Sequence, residues 1–245
     1  NSAESFAEYL EREGYAHDVK TVEGGMEAWS MVYDVAPIAT SNDDLVILQL
    51  QRRSKGCLGY VVGSKSAGEA ALIDVTRASE EFVEAANERG LKVTHVFDTH
   101  IHADHISGGR KLASKLDVPY HLGAPAETRD PQFEFDAIEP NDAVELGDVE
   151  IKAVHTPGHT TGMTSYLVDD EALMTGDTLF VESIGRTELQ FADKDARDGA
   201  RVQYNTLQNV IMTEPNDVKI LPGHFSVTND GEYVDVTPGQ PMFST

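Results

Sequence analysis

Four potential metal ligands lie within six residues of the sequence: His100, His102, Asp104 and His105. They closely follow the apolar stretch Val93–Phe97, which is typical of a buried strand. Histidines two positions apart on an extended chain point to the same side, because side chains alternate along a strand. Nitrogen and oxygen donors on one short loop suit a transition metal, since few residues must be ordered to hold it. The run therefore predicts a metal site beyond this strand.

Three further potential ligands, His159, Asp177 and His224, each follow a strand-like run and stand beside glycine. Glycine and proline allow the tight turns that bend a backbone around a site. Alone, each of the three is more typical of an ordinary loop residue. In layered α/β folds, however, sites gather at the loops beyond strand ends. Together with the first run they make seven predicted ligands: His100, His102, Asp104, His105, His159, Asp177 and His224.

The elements that must position these residues form two sets of strands with helices between them. Cys57 lies in one strand-like run among apolar neighbours, which indicates a buried structural thiol. The predicted strands include Leu45–Leu50, Cys57–Val62, Ala71–Ile73, Val93–Phe97, Val149–Val154, Ser165–Val168, Ala172–Met174 and Val218–Leu221, and the helices Ser79–Arg89, Ile106–Leu116 and Asp195–Ile211.

The H-x-H-x-D-H run, the later histidine, the G-D and the P-G-H resemble the metallo-β-lactamase fold superfamily, in order and in spacing. The resemblance covers the chain from about Ile38, and it implies an αββα sandwich over residues 37–245 with the metal site at one edge. It also implies two metal positions with Asp177 between them. His100, His102 and His159 would surround the first position, and Asp104, His105 and His224 the second.

Residues 1–36 are predicted to lie outside this domain. The sequence predicts a helix over Ser2–Glu13, a strand over Val19–Val22 and a helix over Met26–Val32, with a linker over residues 36–44. The V-E-G-G-M-E-A-W run of Val22–Trp29 resembles the last third of a rhodanese domain. That family's catalytic cysteine lies upstream of the matching region, so this short α/β fragment is not predicted to transfer sulfur. The resemblance still points to sulfur metabolism.

Composition limits the partners. The 245 residues include 42 acidic and 19 basic side chains, a formal net charge of −23. Such a surface repels nucleic acid and anionic membranes, so neither is a predicted partner. The even spread of the acidic residues favours a halophilic source, because high salt screens the repulsion between them. The single cysteine cannot form an internal disulfide, and the sequence shows neither a membrane-spanning run nor a signal peptide. A cytoplasmic location is therefore predicted.

Two chemistries can use the seven ligands. In the first, two Zn(II) ions bridged by Asp177 activate water to hydrolyse a thioester, as in glyoxalase II, or a lactone. In the second, one Fe(II) per chain is held by two histidines and one carboxylate, with open positions for O2 and substrate. The persulfide dioxygenases of the superfamily resemble this case, with His100, His159 and Asp177 as the iron triad. His102, Asp104, His105 and His224 would then orient ligands and waters, with Asp104 and His105 as candidate catalytic residues.

Three features favour the dioxygenase over the hydrolase. The G-R-T-E-L-Q run at residues 185–190 resembles the G-R-T-D-F-Q segment of persulfide dioxygenases and predicts substrate binding by Arg186, Thr187 and Gln190, with the arginine on a substrate carboxylate. Only 21 residues follow His224, too few for the helical C-terminal domain of glyoxalase II. The rhodanese-like fragment also fits sulfur oxidation.

The predicted reaction is oxidation of a small-molecule thiol persulfide by O2 to sulfite and free thiol. A binuclear Zn(II) hydrolase is the alternative. A non-catalytic sulfur-relay or partner-binding module would require an empty metal site. The resemblance also allows a homo-oligomer and a sulfurtransferase domain upstream of Asn1.

Overall fold

Two β-sheets face each other, and helices cover their outer sides. The computed structural model describes residues 2–15, 19–188, 196–225 and 239–243. The strands are β1 Tyr33–Ile38, β2 Leu45–Arg52, β3 Cys57–Ser64, β4 Glu69–Ile73, β5 Lys92–Phe97, β6 Tyr120–Gly123, β7 Asp136–Ile138, β8 Ala143–Leu146, β9 Val149–His155, β10 Thr164–Val168, β11 Ala172–Gly176 and β12 Lys219–Pro222. The helices are α1 Ser2–Arg12, α2 Gly25–Trp29, α3 Ser79–Asn87, α4 Gly109–Leu116 and α5 Ala196–Asn209, with 3-10 turns at Ala124–Arg129 and Ile211–Thr213.

The first sheet contains β1 to β7 in sequence order, and the second has the order β12-β11-β10-β9-β8. Alternate residues of a strand point to opposite faces, and both faces of the first sheet are buried. Ile47, Leu58 and Tyr60 point toward the second sheet and pack in the central core with Tyr166 and Met174.

The opposite face of the first sheet packs on α3 and α4, where Phe82 and Leu112 are buried with Leu48 and Val61. On the far side of the second sheet, a smaller apolar cluster joins Leu173 to Leu207 of α5. These four layers confirm the predicted αββα sandwich. Among the described residues, no helix combines the length and apolar character needed to cross a lipid bilayer.

The first forty residues differ from the prediction in two places. The predicted strand Val19–Val22 is wrong, because these residues are mostly exposed and form no ladder with a neighbouring strand. The predicted linker is partly wrong, because β1 pairs with β2 along its whole length. Pro37 made this segment resemble a linker, but an edge strand tolerates proline where the missing N–H is not needed. The division at residue 36 and the likeness of residues 1–36 to a rhodanese segment stay predictions.

The described helices and strands around the predicted ligands match the sequence interpretation closely. The predicted helix over Ile106–Leu116 is α4, which begins three residues later, and the helix predicted from Asp195 is α5, although Asp195 itself lies outside the described residues. The short edge strand β7 was not predicted, because three residues carry too little periodicity to be recognised.

Acid should destabilise the first sheet through His121 of β6. Its ring stacks on Phe97 at 4.5 Å and on His95 at 5.5 Å. Burial, with a smaller contribution from His95, lowers the pKa of His121 to about 4. The unfolded chain, with a histidine pKa near 6.5, therefore binds the proton more tightly. The stability contributed by neutral His121 is present above pH ~6.5 and is lost as the pH falls toward ~4.

We expect this loss to reach about 2 kcal/mol, which is less than the full linkage value because the ring is partly exposed. Urea unfolding of the wild type and of His121→Gln, each at pH 7 and at pH 4.5, measures this loss, because the contributions of other titrating groups cancel between the two proteins. From pH 7 to pH 4.5, the free energy of unfolding of His121→Gln should fall by about 2 kcal/mol less than that of the wild type. Equal losses in the two proteins would contradict the prediction.

Candidate metal centre

The carboxyl ends of five strands meet at one edge of the sandwich. β4 and β5 are parallel, so Asp74 and the loop from Asp98 to His105 leave the first sheet on the same side. In the second sheet, β9 and β11 are both antiparallel to β10, and β12 is parallel to β11. His159, Asp177 and His224 therefore also follow strand ends at this edge.

Backbone hydrogen bonds join the loops of the two sheets. The N–H of Thr164 donates to the carbonyl of Thr99 at 2.9 Å, and the N–H of Leu58 donates to the carbonyl of Gly223 at 2.7 Å. The histidine run and the ligands of the second sheet are thus fixed against each other by main-chain contacts.

A compact triad of potential ligands consists of His100, His159 and Asp177. One ligand atom from each lies within 4.8 Å of the other two. All three residues are buried, and Nε2 of His159 lies 3.5 Å from Oδ2 of Asp177. Two imidazoles and one carboxylate are the donor set of the non-haem Fe(II) facial triad.

Hydrogen bonds fix the orientation of both imidazoles of the triad. Nδ1–H of His159 donates to the carbonyl oxygen of Arg186 at 2.9 Å. Nδ1 of His100 lies 3.0 Å from Oγ1 of Thr99, whose hydroxyl donates in turn to the carboxylate of Asp74. Each ring therefore presents Nε2 as the ligand atom, and Nε2 of His100 is buried without a hydrogen-bond partner. Burial lowers the pKa of His100 well below its usual value, which keeps the imidazole neutral and able to bind metal.

His102 lies in a separate group with Asp74 and Asp98. Its Nε2–H donates to Oδ1 of Asp74 at 3.2 Å, and Oδ1 of Asp98 lies 3.9 Å away. Burial lowers the pKa of His102, but the charge and hydrogen bond of Asp74 outweigh burial and raise it to about 9. Nδ1 of His102 is buried without a hydrogen-bond partner and lies 4.0 Å from Oδ1 of Asp104, and the His102 ring lies 4.1 Å from that of His100.

The remaining ligands form a cluster that includes a thiol. Ligand atoms of Cys57, Asp104, His105 and His224 lie within 4.8 Å of one another, and we call this set the thiol cluster. Nε2 of His224 lies 2.9 Å from Oδ2 of Asp104, and its Nδ1 lies 2.6 Å from Oδ1 of Asp177. Burial lowers the pKa of His224, but these two carboxylates raise it to about 12.

Asp177 connects the triad and the thiol cluster. One of its carboxylate oxygens faces His159, and the other accepts from His224. Asp104 is held by hydrogen bonds from His105 and His224, which lower its pKa against the opposing effect of burial. The resemblance implied this bridging position for Asp177, and the geometry allows it. The roles of Asp104 and His105 in catalysis stay predictions.

The donor set fits a divalent transition metal. Nε2 of His100, Nδ1 of His102 and Nε2 of His105 are buried nitrogens without hydrogen-bond partners, although buried polar atoms are otherwise almost always paired. Their rings are adjacent, with centroids 4.1 Å apart for His100 and His102 and 4.2 Å apart for His102 and His105, and His100 shares a ligand group with Asp177. Imidazole and carboxylate donors suit both iron and zinc.

An open cavity of about 590 Å³ reaches the triad, a volume suited to a small peptide or cofactor-sized ligand. Lys55 and Arg186 are cations that line it, although the chain as a whole is strongly acidic. The other residues that line the cavity are Ala103, Asp104, His159, Asp177, Phe180, Gly185 and His224.

The predicted substrate-binding residues are only partly described. The side chain of Arg186 lines the cavity, is 64% exposed and lies 3.5 Å from Glu188, so it is both accessible and paired with an acid. Thr187 is half-buried beside it. Gln190 lies outside the described residues.

Gly185 explains why the G-R-T run can approach the ligands so closely. A Cβ at this position would lie 1.9 Å from the carbonyl oxygen of Asp177 and 3.1 Å from Nδ1 of His159. Only glycine lets this backbone pass beside both ligands and bring the carbonyl of Arg186 to His159.

Sequence reasoning missed four residues of the site: Lys55, Asp74, Asp98 and the thiol of Cys57. The two aspartates directly follow β4 and β5, but acidic residues are so frequent in this chain that an aspartate after a strand is a weak signal. Cys57 is buried, as predicted. Its place beside the ligands depends on the contact between the start of β3 and the end of β12, which no local pattern reveals.

Comparison with known proteins supports this architecture. A family model described as the metallo-beta-lactamase superfamily matches residues 55–224. The persulfide dioxygenase ETHE1 of Bos taurus, a mitochondrial protein, is 30% identical over 187 residues, which are 73% of this chain and 68% of the relative. A hydroxyacylglutathione hydrolase of Rhodopseudomonas palustris is 36% identical over 132 residues, 52% of this chain and 50% of the hydrolase.

Solved structures of the superfamily have the same fold. A metallo-beta-lactamase from Staphylococcus aureus superposes with a TM-score of 0.71 and 28% identity, over 80% of this chain and 60% of that protein. ETHE1 from Myxococcus xanthus superposes with a TM-score of 0.64 and 29% identity, over 75% of this chain and 77% of that protein. The chain thus spans about two thirds of the Bos taurus relative and half of the hydrolase.

Proposed function

The chain belongs to the metallo-beta-lactamase superfamily, and we propose that it is an Fe(II)-dependent persulfide dioxygenase. Its substrate would be a low-molecular-weight thiol persulfide, oxidised by O2 to sulfite and the free thiol. The observation that carries the proposal is the grouping of His100 and His159 with Asp177, apart from His102. Two imidazoles and one carboxylate leave a metal open positions for substrate and O2.

The reaction balances with water as a co-reactant. A persulfide, O2 and water give a thiol and sulfurous acid, so the terminal sulfur loses four electrons and O2 gains them. Fe(II), when bound, would supply the one-electron chemistry that O2 needs to react with a closed-shell sulfur compound. The described residues orient the ligands and give access to the site. Thr99 orients the imidazole of His100, the carbonyl of Arg186 orients that of His159, and the cavity admits the substrate.

The charges of the cavity support an anionic substrate. Lys55 and Arg186 are the cations that line it, in a chain whose acidic surface otherwise repels anions. A thiol peptide of the glutathione type carries two carboxylates, which these side chains can bind.

O2 consumption by the iron-loaded protein with glutathione persulfide tests the proposed function. We expect rapid uptake with one sulfite formed per O2, and no uptake with glutathione alone. Absence of uptake from protein that holds one iron per chain would overturn the proposal.

A binuclear Zn(II) hydrolase of thioesters or lactones is the second candidate. Two observations favour it: the unpartnered Nδ1 of His102, which can complete a first zinc site, and the likeness to hydroxyacylglutathione hydrolases. The hydrolase requires two zinc ions per chain and turns over its substrate without O2. Anaerobic assays of the zinc-loaded protein with a glutathione thioester distinguish the two.

Removal of the Arg186 side chain should weaken substrate binding. We expect Arg186→Ala to raise the KM for glutathione persulfide about fivefold, corresponding to about 1 kcal/mol for an exposed charge contact. Because only its backbone carbonyl orients His159, kcat should stay within about twofold.

Arg201→Ala is the matched control for this prediction. Arg201 is similarly exposed and lies 3.4 Å from Asp198, but it stands on α5 outside the cavity. The KM of this variant should equal that of the wild type. An unchanged KM in Arg186→Ala would remove Arg186 from the substrate site.

The wider assignments stay predictions. They are Fe(II) as the metal, a cytoplasmic location, a halophilic source, a homo-oligomer and an upstream sulfurtransferase domain.

A further inference from the structure

Helix α5 packs against the loop that carries His159. The backbone of Gly158 approaches the helix so closely that a Cβ at this position would lie 2.7 Å from Cα of Gln203 and 1.8 Å from its Oε1. Glycine allows this approach, and its φ of 151° is one that other residues rarely adopt. One turn further along α5, the hydroxyl of Thr206 donates to the carbonyl of Pro157 at 2.5 Å. The loop before His159 is therefore seated on α5 at two places.

The side chain of the same glutamine also reaches the loop of a second triad ligand. Gln203 is 1% exposed, and its Nε2–H donates to the carbonyl oxygen of Thr178, the residue after Asp177. The Thr178 hydroxyl donates in turn to the carbonyl of Thr156 at 3.0 Å, which leads back to the loop of His159. One carboxamide thus touches the residue before His159 and the residue after Asp177.

The carboxamide of Gln203 carries an energetic cost. Its Oε1 is buried and has no hydrogen-bond partner within the part of the chain that the structure describes, although buried polar atoms are almost always paired. An apolar side chain of the same length would avoid this unpaired acceptor. Packing alone therefore does not explain a polar residue at this place, whereas the hydrogen bond to the loop of Asp177 does.

We propose that Gln203 is a positioning residue, which sets the spacing of His159 and Asp177 for the metal. Nε2 of His159 and Oδ2 of Asp177 lie 3.5 Å apart, and each ligand is one residue away from a contact with Gln203. Without the hydrogen bond to Thr178, Asp177 could shift relative to His159, which would stay seated on α5 through Thr206. Contacts that support ligands tune metal affinity because the ligands are already held in the binding geometry. The inference rests on the metal triad of the proposed function, but not on the reaction at the metal.

Co(II) binding to the full chain tests the proposal through two measurements. Competition with a chromogenic chelator gives the affinity, and the visible absorption bands of bound Co(II) report the ligand geometry. The ion compared is the one whose binding His159→Ala abolishes. If His159→Ala removed no Co(II), the triad would fail, and this inference with it.

Gln203→Met keeps the length of the side chain and removes both of its polar atoms. Partners that contact ligands directly change metal affinity by about 10- to 100-fold, and Gln203 acts through the neighbouring backbone, so we expect a loss of about tenfold. The absorption bands should shift, and the unfolding temperature should stay close to that of the wild type. A lower unfolding temperature with unchanged affinity and bands would show a packing role only and would overturn the proposal, while O2 consumption by the wild type would still support the dioxygenase.

Gln208→Met is the matched control, because Gln208 is exposed on the same helix. Its Co(II) affinity and absorption bands should equal those of the wild type. An equal loss of affinity in Gln208→Met and Gln203→Met would overturn the proposal.

Gln203→Glu provides a second test, which decides if Gln203→Met fails to fold. A protonated carboxyl group can donate to the carbonyl of Thr178, whereas a carboxylate cannot, and burial raises the pKa of a glutamate. The Co(II) affinity of this variant, divided by that of the wild type at the same pH, should fall from about one at pH 6 to about one tenth at pH 9. A ratio that does not change with pH would overturn the proposal.

Discussion

His159→Ala is expected to abolish iron-dependent O2 consumption by removing one of the three ligands of the triad. Residues that merely support a ligand already change metal affinity by about 10- to 100-fold, so loss of a ligand should exceed about 100-fold. Nε2 of His159 lies 3.5 Å from Oδ2 of Asp177, within the ligand group that also contains His100. Bound iron per chain, measured after removal of excess metal, should fall in parallel with O2 consumption.

His155→Ala is the control for this prediction. His155 is half-buried four residues earlier, and its Nε2 lies 3.1 Å from the carbonyl of Thr161, outside all three ligand groups. The control should keep its iron and its activity. If His159→Ala kept one iron per chain and consumed O2 at the wild-type rate, the assignment of the triad would be wrong.

The order of strands and helices could be predicted because most of the elements have strong local patterns, whereas the αββα sandwich itself was implied by the resemblance of the ligand motifs. Strands that are buried on both faces, such as β2 and β3, appear in the sequence as apolar runs. The helices α3 and α4 have clear amphipathic periodicity. The exceptions are edge elements. β1 contains Pro37 and β7 has three residues, and both depend on pairing with a neighbour more than on their own composition.

The candidate site could be predicted only as far as local spacing reaches. All seven predicted ligands lie at one edge of the sandwich, because each follows the carboxyl end of a strand and these strands run in the same direction. Their division into groups could not be predicted. Whether His102 faces the triad or Asp74 depends on ring rotation and on an aspartate 28 residues earlier in the chain.

Asp74→Asn is expected to weaken metal binding about 10- to 100-fold without touching a predicted ligand atom of the metal. The buried carboxylate of Asp74 accepts hydrogen bonds from the N–H of Thr99 at 2.7 Å, from the Thr99 hydroxyl and from Nε2–H of His102. Asparagine has nearly the same shape and tolerates the left-handed backbone conformation of residue 74, where φ is 53°. Its amide, however, brings an N–H₂ donor toward a set of donors, so one hydrogen bond is lost.

Asp98→Asn separates this positioning effect from a loss of stability. Asp98 is equally buried, but its carboxylate accepts from Ser107 and Tyr120 at 2.6 Å, and it lies 3.9 Å from His102. Both variants should lose about 1–3 kcal/mol in the free energy of unfolding, because each leaves buried groups unpaired. Only Asp74→Asn should also lose metal affinity, measured by competition with a chromogenic chelator.

A double-mutant cycle with His102→Ala then shows through which residue Asp74 acts. If His102 is a metal ligand, as the binuclear hydrolase requires, Asp74→Asn should have little further effect on metal affinity once His102 is gone. If iron is bound by the triad, His102→Ala should keep one iron per chain. Asp74→Asn should then retain its full effect, because it acts through Thr99 on His100. Equal metal affinity in the wild type and Asp74→Asn would show that neither path orients the ligands.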